Sequence, residues 1–378
     1  MKIETRKKLG DLLKEYTEKN TDNEYKPVAV GRYGIRKRED IYSKELAKDY
    51  SKNKLIYKNT LTVGMGSKQI DIGILTDDEI YAVSPAYHTF RIKNIDADYL
   101  RYCLDARNAD MSERFMIASA RQGKSVDFKK MLEYKIPVYS ESDTQTILYN
   151  LSKIENIILN LDSQLEKMDL LVKSRFIEMF GDPVENEKKL EVVPLSELAE
   201  IKIGPFGSLL HKEDYVEGGH PLVNPTHIVD GKVVIDEQLT VSETKYEELK
   251  AYWLKKDDVV MGRRGEMGRC AVVTENGLLC GTGSLYIRSY GEVSADYIQK
   301  TISHPSFKMR IEDMAVGQTM QNLNVPIVSG FQIPKPTKEQ QEKYYKIVDQ
   351  IDKSKLAVQE MKNKMEILKA SVMQDYFC

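Results

Sequence analysis

Apolar residues recur at alternating steps of three and four along two long segments of the chain, as they do in a coiled-coil seam. In the first segment the recurring positions are Leu151, Ile154, Ile158, Leu161, Leu165, Met168 and Val172. In the second they are Ile351, Ser354, Val358, Met361, Met365, Leu368 and Val372. A helix of about 40 residues is a rod of roughly 60 Å, which is too long for one small domain to bury. The spacing therefore predicts two long helices that pack along each other.

Polar and helix-breaking residues predict where these helices begin and end. Ser142 and Thr337 are expected to cap the two first turns with their hydroxyl oxygens. Gly181 is expected to end the first helix, because glycine accepts the left-handed turn and Pro183 cannot continue a helix. Elsewhere, short apolar runs between Gly, Asp and Asn turns predict strands.

The same order of patterns occurs twice along the chain. Ile136-Pro137 recurs as Ile333-Pro334, 197 residues later, and Ala97-Asp98-Tyr99 is echoed by Ala295-Asp296-Tyr297. Aromatic residues at the ends of the long helices, Phe180 and Phe377, are also 197 residues apart. Several matches in register indicate a diverged internal duplication.

A length of 378 residues is typical of two or three domains. The patterns favour an α+β fold in which two mixed α/β domains are each followed by a long helix. The predicted order is a domain at 1–140, a helix at 141–181, a domain at 182–336 and a helix at 337–378.

Composition indicates a folded protein of the cytoplasm. The chain has 56 Lys and Arg residues against 58 Asp and Glu residues, for a net charge of −2, and 41% of its residues are hydrophobic. No apolar run approaches the roughly 18–20 residues of a membrane-spanning helix, and the charged N-terminus does not read as a signal peptide. The four cysteines are far apart and are expected to be reduced thiols.

Motifs of common catalysis are missing or incomplete. The five histidines form no metal-binding spacing, so we expect no bound metal. The run 118–125 ends like a phosphate-binding loop, but Ala118 replaces the required glycine and the preceding residues look helical. The run 224–227 lacks the second proline and the aromatic of an amino-methyltransferase loop, and the glycine-rich run 262–268 lies in a predicted hairpin.

Charge is spread unevenly, and the first half contains a basic stretch. Between Lys26 and Lys68 there are eleven Lys and Arg residues and four Asp and Glu residues, a local charge of +7. Cations bind phosphates, and forked donors read base edges, so this stretch is a candidate DNA contact, although a solvated surface is the simpler interpretation. The candidate residues of the first half are Arg32, Tyr33, Arg36, Lys37, Arg38, Lys68, Gln122, Lys124 and Ser125.

The second half offers several weaker candidates in separate loops. The loop 204–208 is glycine-rich and could approach a phosphate or simply be a structural turn. The pair Arg263-Arg264 is expected to be exposed at a hairpin tip, and the amide-rich loop after Gly317 could pair with adenine. The candidates of this half are Ser208, Thr226, His227, Arg263, Arg264, Gln318, Thr319, Gln321 and Asn322.

The whole layout resembles the specificity (S) subunit of type I restriction–modification enzymes. The second domain carries the closest local similarity, which comprises 194–199, 203–210, 214–215, 221–224 and 257–268. The first domain departs from this pattern, because it lacks the Gly-Pro-Phe-Gly-Ser loop of 204–208 and has the basic stretch instead. Such a difference is expected if each domain reads a different DNA sequence.

The resemblance implies a non-catalytic subunit that binds a split, asymmetric DNA site, with one half-site for each target-recognition domain. Its two helices form an antiparallel coiled coil with a pseudo-twofold, set the gap between the half-sites, and dock two methyltransferase subunits. A restriction subunit translocates and cleaves DNA. The resemblance implies no cofactor in this chain, since S-adenosylmethionine, Mg and ATP belong to the partner subunits.

Two other functions remain open at this stage. A stand-alone DNA methyltransferase or nuclease needs a complete methyl-donor or nuclease motif, and we find none. A coiled-coil scaffold that binds only protein is disfavoured by the basic stretch and by the paired arginines.

Overall fold

The computed structural model describes residues 1–31, 34–41, 47, 49–66, 68–119, 123–206, 209–266, 268–316 and 322–378. Contacts divide the chain into two compact units. The first unit comprises Met1–Leu165 and Leu356–Cys378, and the second comprises Glu166–Lys355. Each unit has its own apolar core. The C-terminal segment of the chain thus belongs to the first unit.

Two helices of 40 residues dominate the helical content. The helices are α1 (Leu9–Leu12), α2 (Ala97–Phe115), α3 (Phe128–Leu132), α4 (Glu141–Phe180), α5 (Leu195–Leu198), α6 (Glu243–Glu248), α7 (Ala295–Ser303), α8 (Pro305–Val316), α9 (Val325–Ser329) and α10 (Lys338–Phe377). The two predicted long helices are α4 and α10.

The strands of the first unit form one four-stranded sheet and several two-stranded ladders. They are β1 (Thr5–Lys8), β2 (Leu13–Tyr16), β3 (Val28–Gly31), β4 (Gly34–Lys37), β5 (Lys54–Ile56), β6 (Thr60–Met65), β7 (Ile70–Ile74), β8 (Tyr81–Val83), β9 (His88–Ile92), β10 (Met116–Ser119), β11 (Gly123–Val126) and β12 (Lys135–Val138). The sheet order is β2-β9-β6-β7, and the ladders are β1-β12, β3-β4, β5-β8 and β10-β11. Each of these pairings is antiparallel.

The second unit repeats the four-stranded sheet and adds a five-stranded one. Its strands are β13 (Glu191–Pro194), β14 (Ala199–Ile203), β15 (Tyr215–Val216), β16 (His220–Val223), β17 (Ile228–Val229), β18 (Lys232–Val233), β19 (Thr240–Val241), β20 (Trp253–Leu254), β21 (Asp258–Gly262), β22 (Cys270–Val272), β23 (Leu278–Cys280), β24 (Ser284–Ser289) and β25 (Gln332–Lys335). The sheet orders are β14-β24-β21-β22 and β15-β19-β16-β23-β20, with β13-β25 and β17-β18 as separate ladders.

The internal duplication is visible in both topology and side chains. The order β2-β9-β6-β7 corresponds to β14-β24-β21-β22, and in each unit the second strand of the sheet leads to an Ala-Asp-Tyr helix. The hydroxyl of Tyr99 donates to the Pro137 carbonyl at 2.9 Å, and that of Tyr297 donates to the Pro334 carbonyl at 2.6 Å. The predicted α+β fold with an internal repeat is confirmed.

The C-terminal ends of the two long helices are exchanged: α10 ends in the core of the first unit, and α4 ends in the core of the second unit. Phe377, at the end of α10, packs edge-on against Tyr99 in the first unit, with ring centroids 5.4 Å apart. Phe180, at the end of α4, packs edge-on against Tyr297 in the second unit at 5.1 Å. All four rings are almost fully buried. Phe377 is thus a core residue of the first unit, and Phe180 is a core residue of the second unit.

One predicted helix cap is wrong and two predicted helix ends are confirmed. The Asp143 amide donates to Ser140 Oγ at 3.1 Å, so Ser140 caps α4, while Ser142 lies inside the first turn. The Gln340 amide donates to Thr337 Oγ1 at 3.2 Å, as predicted. Helix α4 stops at Gly181, which has a φ of +75°.

The predicted seam is correct on α4, but on α10 three of its seven positions, Ser354, Met361 and Leu368, are displaced by one residue. Leu151, Ile154 and Leu161 are buried, whereas Met361 and Leu368 are exposed. The inward positions of α10 between its apolar residues are the lysines Lys355, Lys362 and Lys369. A lysine can bury its methylene stem and keep its ammonium at the edge of the helix pair.

These lysines form an ionic ladder with acidic residues of α4, at a spacing of seven on both helices. In the first unit Lys369 Nζ lies 2.6 Å from Glu155 Oε1, and Lys362 Nζ lies 2.6 Å from Asp162 Oδ1. In the second unit Lys355 pairs with Asp169. Because the α4 numbers rise as the α10 numbers fall, the helix segments within each unit are antiparallel.

Candidate nucleic-acid interface

In the second unit, the ends of neighbouring strands bring five separate segments together. We call this set of residues the loop cluster; it comprises 204–206, 224–227, 262–264, 281–283 and 322–323. Four of the segments lie at the ends of β14, β16, β21 and β24, and 322–323 lies just before α9. Four backbone hydrogen bonds of 3.0 Å hold them together: Gly204 N to Ser284 O, Arg263 N to Gly283 O, Gly281 N to Val223 O, and Leu323 N to Arg263 O.

Glycines allow these backbones to touch. A Cβ on Gly204 would lie 2.0 Å from the Gly281 carbonyl oxygen, and a Cβ on Gly281 would lie 2.1 Å from Asn224 Oδ1. Pro225 fills the neighbouring space, because a Cβ on Gly262 or Gly283 would meet its ring at 3.2 or 3.0 Å. Gly204 and Gly281 therefore exclude a larger residue, whereas Gly262 and Gly283 leave only a tight fit beside Pro225.

A tight turn presents Thr226 and His227. The Asn224 amide donates to His227 Nδ1 at 3.1 Å, and the guanidinium of Arg269 donates to the Pro225 carbonyl at 3.3 Å. Because Nδ1 accepts this bond, the ring proton of His227 is on Nε2. Thr226 is exposed and His227 is half-buried. The turn thus fixes one hydroxyl group and one ring N–H donor.

The predicted exposure of Arg263 is wrong. Its side chain is only 8% exposed, and its Nε donates to the Leu323 carbonyl at 2.9 Å. Its guanidinium lies 5.2 Å from the ring centroid of Phe206, which is itself 56% exposed. Burial, with a smaller contribution from Arg264, lowers the pKa of Arg263. Arg263 therefore anchors the loop cluster and covers one face of Phe206.

Arg264 has the exposure that was predicted for the pair. Its Nε donates to Asn322 Oδ1, which joins two residues predicted to contact DNA. Within the described residues no acceptor is bound to its Nη groups. An arginine fork that is fixed through Nε and open at its tip is suited to a base edge or a phosphate.

The basic stretch of the first unit is less positive in the structure than in the sequence. Lys37 lies 3.8 Å from Glu79, and Lys58 lies 2.9 Å from Asp78, both acidic residues from outside the stretch. Lys26 also pairs with Glu39. These ion pairs are exposed and therefore weak, so a phosphate could replace the carboxylates.

The β3–β4 hairpin presents the candidate cations of this stretch. Arg36 and Lys37 are exposed on β4. A hydrogen bond with Tyr81 and the charge of Glu79 raise the pKa of Lys37. The guanidinium of Arg38 lies 5.7 Å from the Tyr50 ring centroid.

The remaining candidates of the first unit lie on two other hairpins. Lys68 is exposed at the turn between β6 and β7, the counterpart of the turn that carries Arg263 and Arg264. Ser125 is half-buried on β11, opposite Ile117. Lys124 lies on the same strand, but its side chain is outside the described part of the structure.

Several predicted residues lie outside the described residues and stay predictions. They are Arg32, Tyr33, Gln122, Ser208, Gln318, Thr319 and Gln321. Phe206 was not predicted as a site residue, although its position in the Gly-Pro-Phe-Gly-Ser loop could have indicated it. Arg269 was also missed, because its contact with Pro225 joins residues that are far apart in sequence.

The incomplete motifs have structural explanations. Residues 112–115 belong to α2, the run 118–125 lies on the β10–β11 hairpin, and 262–268 connects β21 to β22 as a hairpin. In the described part of the chain no three His, Cys, Asp or Glu side chains are grouped as metal ligands. None of the described helices combines the length and apolarity needed to cross a bilayer.

Two sequence comparisons find similarity to type I specificity proteins. Residues 187–369 match the type I restriction modification DNA specificity domain. The MjaVIII type I restriction enzyme specificity subunit of Methanocaldococcus jannaschii is 20% identical over 303 residues, which are 74% of this chain and 69% of that protein.

Solved structures are similar over the full length of the chain. One solved structure concerns the complex assembly and conformational transition of a type I R-M system. The alignment with it covers 100% of this chain and 98% of the other chain, with 13% identity and a TM-score of 0.58. That likeness concerns the fold. The S subunit from M. genitalium covers 99% and 96%, with 15% identity and a TM-score of 0.49. The match of residues 187–369 and the similar curated relative thus confirm the predicted resemblance of the chain to type I specificity subunits.

Proposed function

We propose that this chain is the DNA-binding specificity subunit of a type I restriction–modification complex and that it recognises a split, asymmetric DNA site. The loop cluster is the observation that carries this proposal. It unites four segments that were predicted separately as DNA contacts, and glycine contacts fix their positions. A rigid set of loops that offers an arginine fork, a hydroxyl and a ring N–H has the donors that base readout needs.

Differences between the two units support an asymmetric site. The β21–β22 turn of the second unit presents Arg264 held by Asn322, whereas the matching turn of the first unit presents Lys68. The first unit also has the basic β3–β4 hairpin. Two similar scaffolds with different donor sets read two different half-sites, one for each unit.

Exposed apolar side chains on the long helices support docking of partner subunits. On α4, Tyr149 is 62% and Leu159 is 64% exposed, and on α10 the corresponding values are 64% for Leu356 and 69% for Ile367. Apolar side chains in such numbers on solvent-facing helices are typical of interaction surfaces. We assign this surface to methyltransferase subunits, two for each chain, with restriction subunits joining the complex through them. S-adenosylmethionine, Mg and ATP act in those partners.

Methylome sequencing tests the proposal. The chain is co-expressed with its cognate methyltransferase subunit in a host without methylation, and the purified complex is used in gel-shift assays. We expect methylation at one split motif and tight binding to duplexes that carry it. Arg264→Ala should relax the preference at one position of one half-site, with a loss of discrimination of about 1–3 kcal/mol.

Arg310→Ala is the matched control, because Arg310 is an exposed arginine on α8 of the same unit. It should leave the motif unchanged. A complex that assembles but methylates no defined motif would refute the specificity function and favour a scaffold. Methyl transfer by the purified chain without its partner would contradict the non-catalytic assignment.

A further inference from the structure

The first unit contains a basic cleft whose lining includes none of the residues predicted to contact DNA. The cleft has a volume of about 670 Å³ and lies between β1, the second half of α2, α3 and the start of β12. Its cationic residues are Arg6, Arg107, Arg114, Lys129, Lys130 and Lys135. Asp110 and Glu133 are its acidic residues, so the ionisable side chains of the cleft sum to +4.

The floor of the cleft is a fixed polar network. The Tyr134 hydroxyl donates to Asp110 Oδ2 at 2.5 Å and accepts from Arg107 Nη1 at 2.9 Å. The other Asp110 oxygen accepts from Arg114 Nε at 2.7 Å. Both carboxylate oxygens of Asp110 are thus engaged and offer little repulsion to an incoming anion. Arg107 Nε is buried and has no partner among the described residues.

The rim of the cleft holds cations that no carboxylate neutralises. Arg6, Lys129 and Lys135 are exposed, and none of them forms a salt bridge within the described part of the chain. Three positive side chains held near one another without counter-ions repel each other. An anionic ligand in the cleft would relieve this repulsion.

The second unit provides an internal comparison. Its β13-β25 ladder matches β1-β12, and α9 matches α3, with the buried Val328 in the place of Met131. At the positions that correspond to Arg6, Lys129 and Lys135, the second unit has Val192, Pro326 and Gln332. The same scaffold therefore folds without these charges, and the basic cleft belongs to the first unit alone.

We infer that the basic cleft binds the phosphate backbone of duplex DNA beside the half-site that the first unit reads. The inference rests on the proposed function and adds a phosphate-binding surface to it. The β10–β11 hairpin, which carries the predicted DNA residues Lys124 and Ser125, leaves the cleft directly after Phe115 and returns to it just before α3. Arginine forks and lysines without counter-ions bind phosphates, which receive half to two-thirds of the hydrogen bonds in protein–DNA complexes.

A charge-neutralising variant tests the inference in the complex with the methyltransferase subunit. The cleft variant combines Arg6→Gln, Lys129→Gln and Lys135→Gln. Binding to a duplex with the methylated motif is measured from 50 to 300 mM KCl. Each lost phosphate contact should reduce the slope of log K against log salt by about 0.9 and weaken binding on the order of 10-fold at 0.1 M. The methylated motif should stay the same.

The control variant makes the same change of charge elsewhere. It combines Lys93→Gln, Lys188→Gln and Lys232→Gln, three exposed lysines that form no salt bridge with described residues. It should keep the wild-type slope. A single Glu133→Gln change removes an acidic side chain from the cleft and should strengthen binding, an effect of opposite sign that partial unfolding cannot imitate.

The outcomes separate this inference from the proposed function. A cleft variant with the wild-type salt slope overturns the inference while the specificity function stands. A changed motif shows that the cleft reads bases and also overturns it. Loss of the methyltransferase subunit with an unchanged slope assigns the cleft to an acidic protein segment instead. If neither the wild type nor the control binds any motif, the proposed function itself fails.

Discussion

Glu155 joins three helices of the first unit, and its replacement by glutamine gives the sharpest test of the packing. Its carboxylate accepts two hydrogen bonds from Arg101 at 3.1 and 3.2 Å and one from the Tyr102 hydroxyl at 2.6 Å. Lys369 on α10 donates a fourth at 2.6 Å. The Glu155 side chain is 24% exposed. Glu155→Gln keeps the shape of the side chain and removes the charge that these donors surround.

The size of the effect follows from the pKa. Burial opposes ionisation of Glu155, but hydrogen bonds from Arg101, Lys369 and Tyr102 outweigh it and lower its pKa from 4.5 to about 2. A fall of about 2.5 pKa units at about 1.36 kcal/mol each corresponds to roughly 3 kcal/mol of stability at neutral pH. Because the pKa is lower in the folded state, this stability is present above pH 4.5 and is lost as the pH falls towards 2.

Asp162→Asn is the matched control. Asp162 also lies on α4 and pairs with a lysine of α10 at 2.6 Å, but its side chain is 42% exposed. Water screens such a pair, so the expected loss is below about 1 kcal/mol. Hydrogen exchange of the α2 amides reports the free energy of unfolding of the first unit, while fluorescence of the single tryptophan, Trp253, reports the second.

We expect Glu155→Gln to speed exchange in α2 by on the order of 100-fold at pH 7 and to leave the tryptophan transition unchanged. The difference from wild type should shrink as the pH approaches 2. If Glu155→Gln and Asp162→Asn lowered the free energy of unfolding equally, then burial and the number of donors would not determine the strength of these salt bridges. A loss that is independent of pH would refute the charge argument.

Three further changes have defined outcomes. Gly281→Ala places a Cβ 2.1 Å from Asn224 Oδ1 and should weaken binding of one half-site on the order of 10-fold, whereas Gly330→Ala, whose Cβ would meet no atom closer than 3.5 Å, should not. Asp258→Asn removes the charge and one of the two acceptor oxygens that bond Arg288 at 2.7 Å, at a residue that is 1% exposed, and calorimetry should show a loss of about 3 kcal/mol. Deleting four residues from both long helices, about 6 Å of rise, should shorten the spacer by one or two base pairs in the methylome, and an unchanged spacer would exclude helix length as its determinant.

The sequence predicted the long helices and the repeat because both leave periodic signals that one chain can show. Three of the seven seam positions on α10 were assigned one residue away, because Ser354, Met361 and Leu368 were preferred to the charged residues that follow them. The matching period of seven in Lys355, Lys362 and Lys369 was equally visible. Lysine stems fill such positions as well as apolar residues do when each ammonium meets an acidic residue of the other helix.

The site residues were harder to predict because their environment comes from contacts distant in sequence. Arg263 and Arg264 are adjacent, yet one is buried against Leu323 while the other is exposed beside Asn322. A hairpin pattern places both at a turn and does not say which side chain faces inward. The charge of the first-half basic stretch was likewise overestimated, since Asp78 and Glu79 come from a different part of the chain.

Comparison of the two copies distinguishes residues that the fold requires from residues that differ between the copies. The Tyr99 and Tyr297 hydroxyls make the same buried bond to a proline carbonyl, and in each copy the aromatic end of a long helix packs on that tyrosine. The exposed residues at the rim of the basic cleft are not matched in this way, since Lys129 in one copy corresponds to Pro326 in the other. Buried matched positions stabilise both units in the same way, so their loss costs folding free energy. Unmatched exposed positions are free of that constraint, and their loss should alter DNA binding at one half-site only.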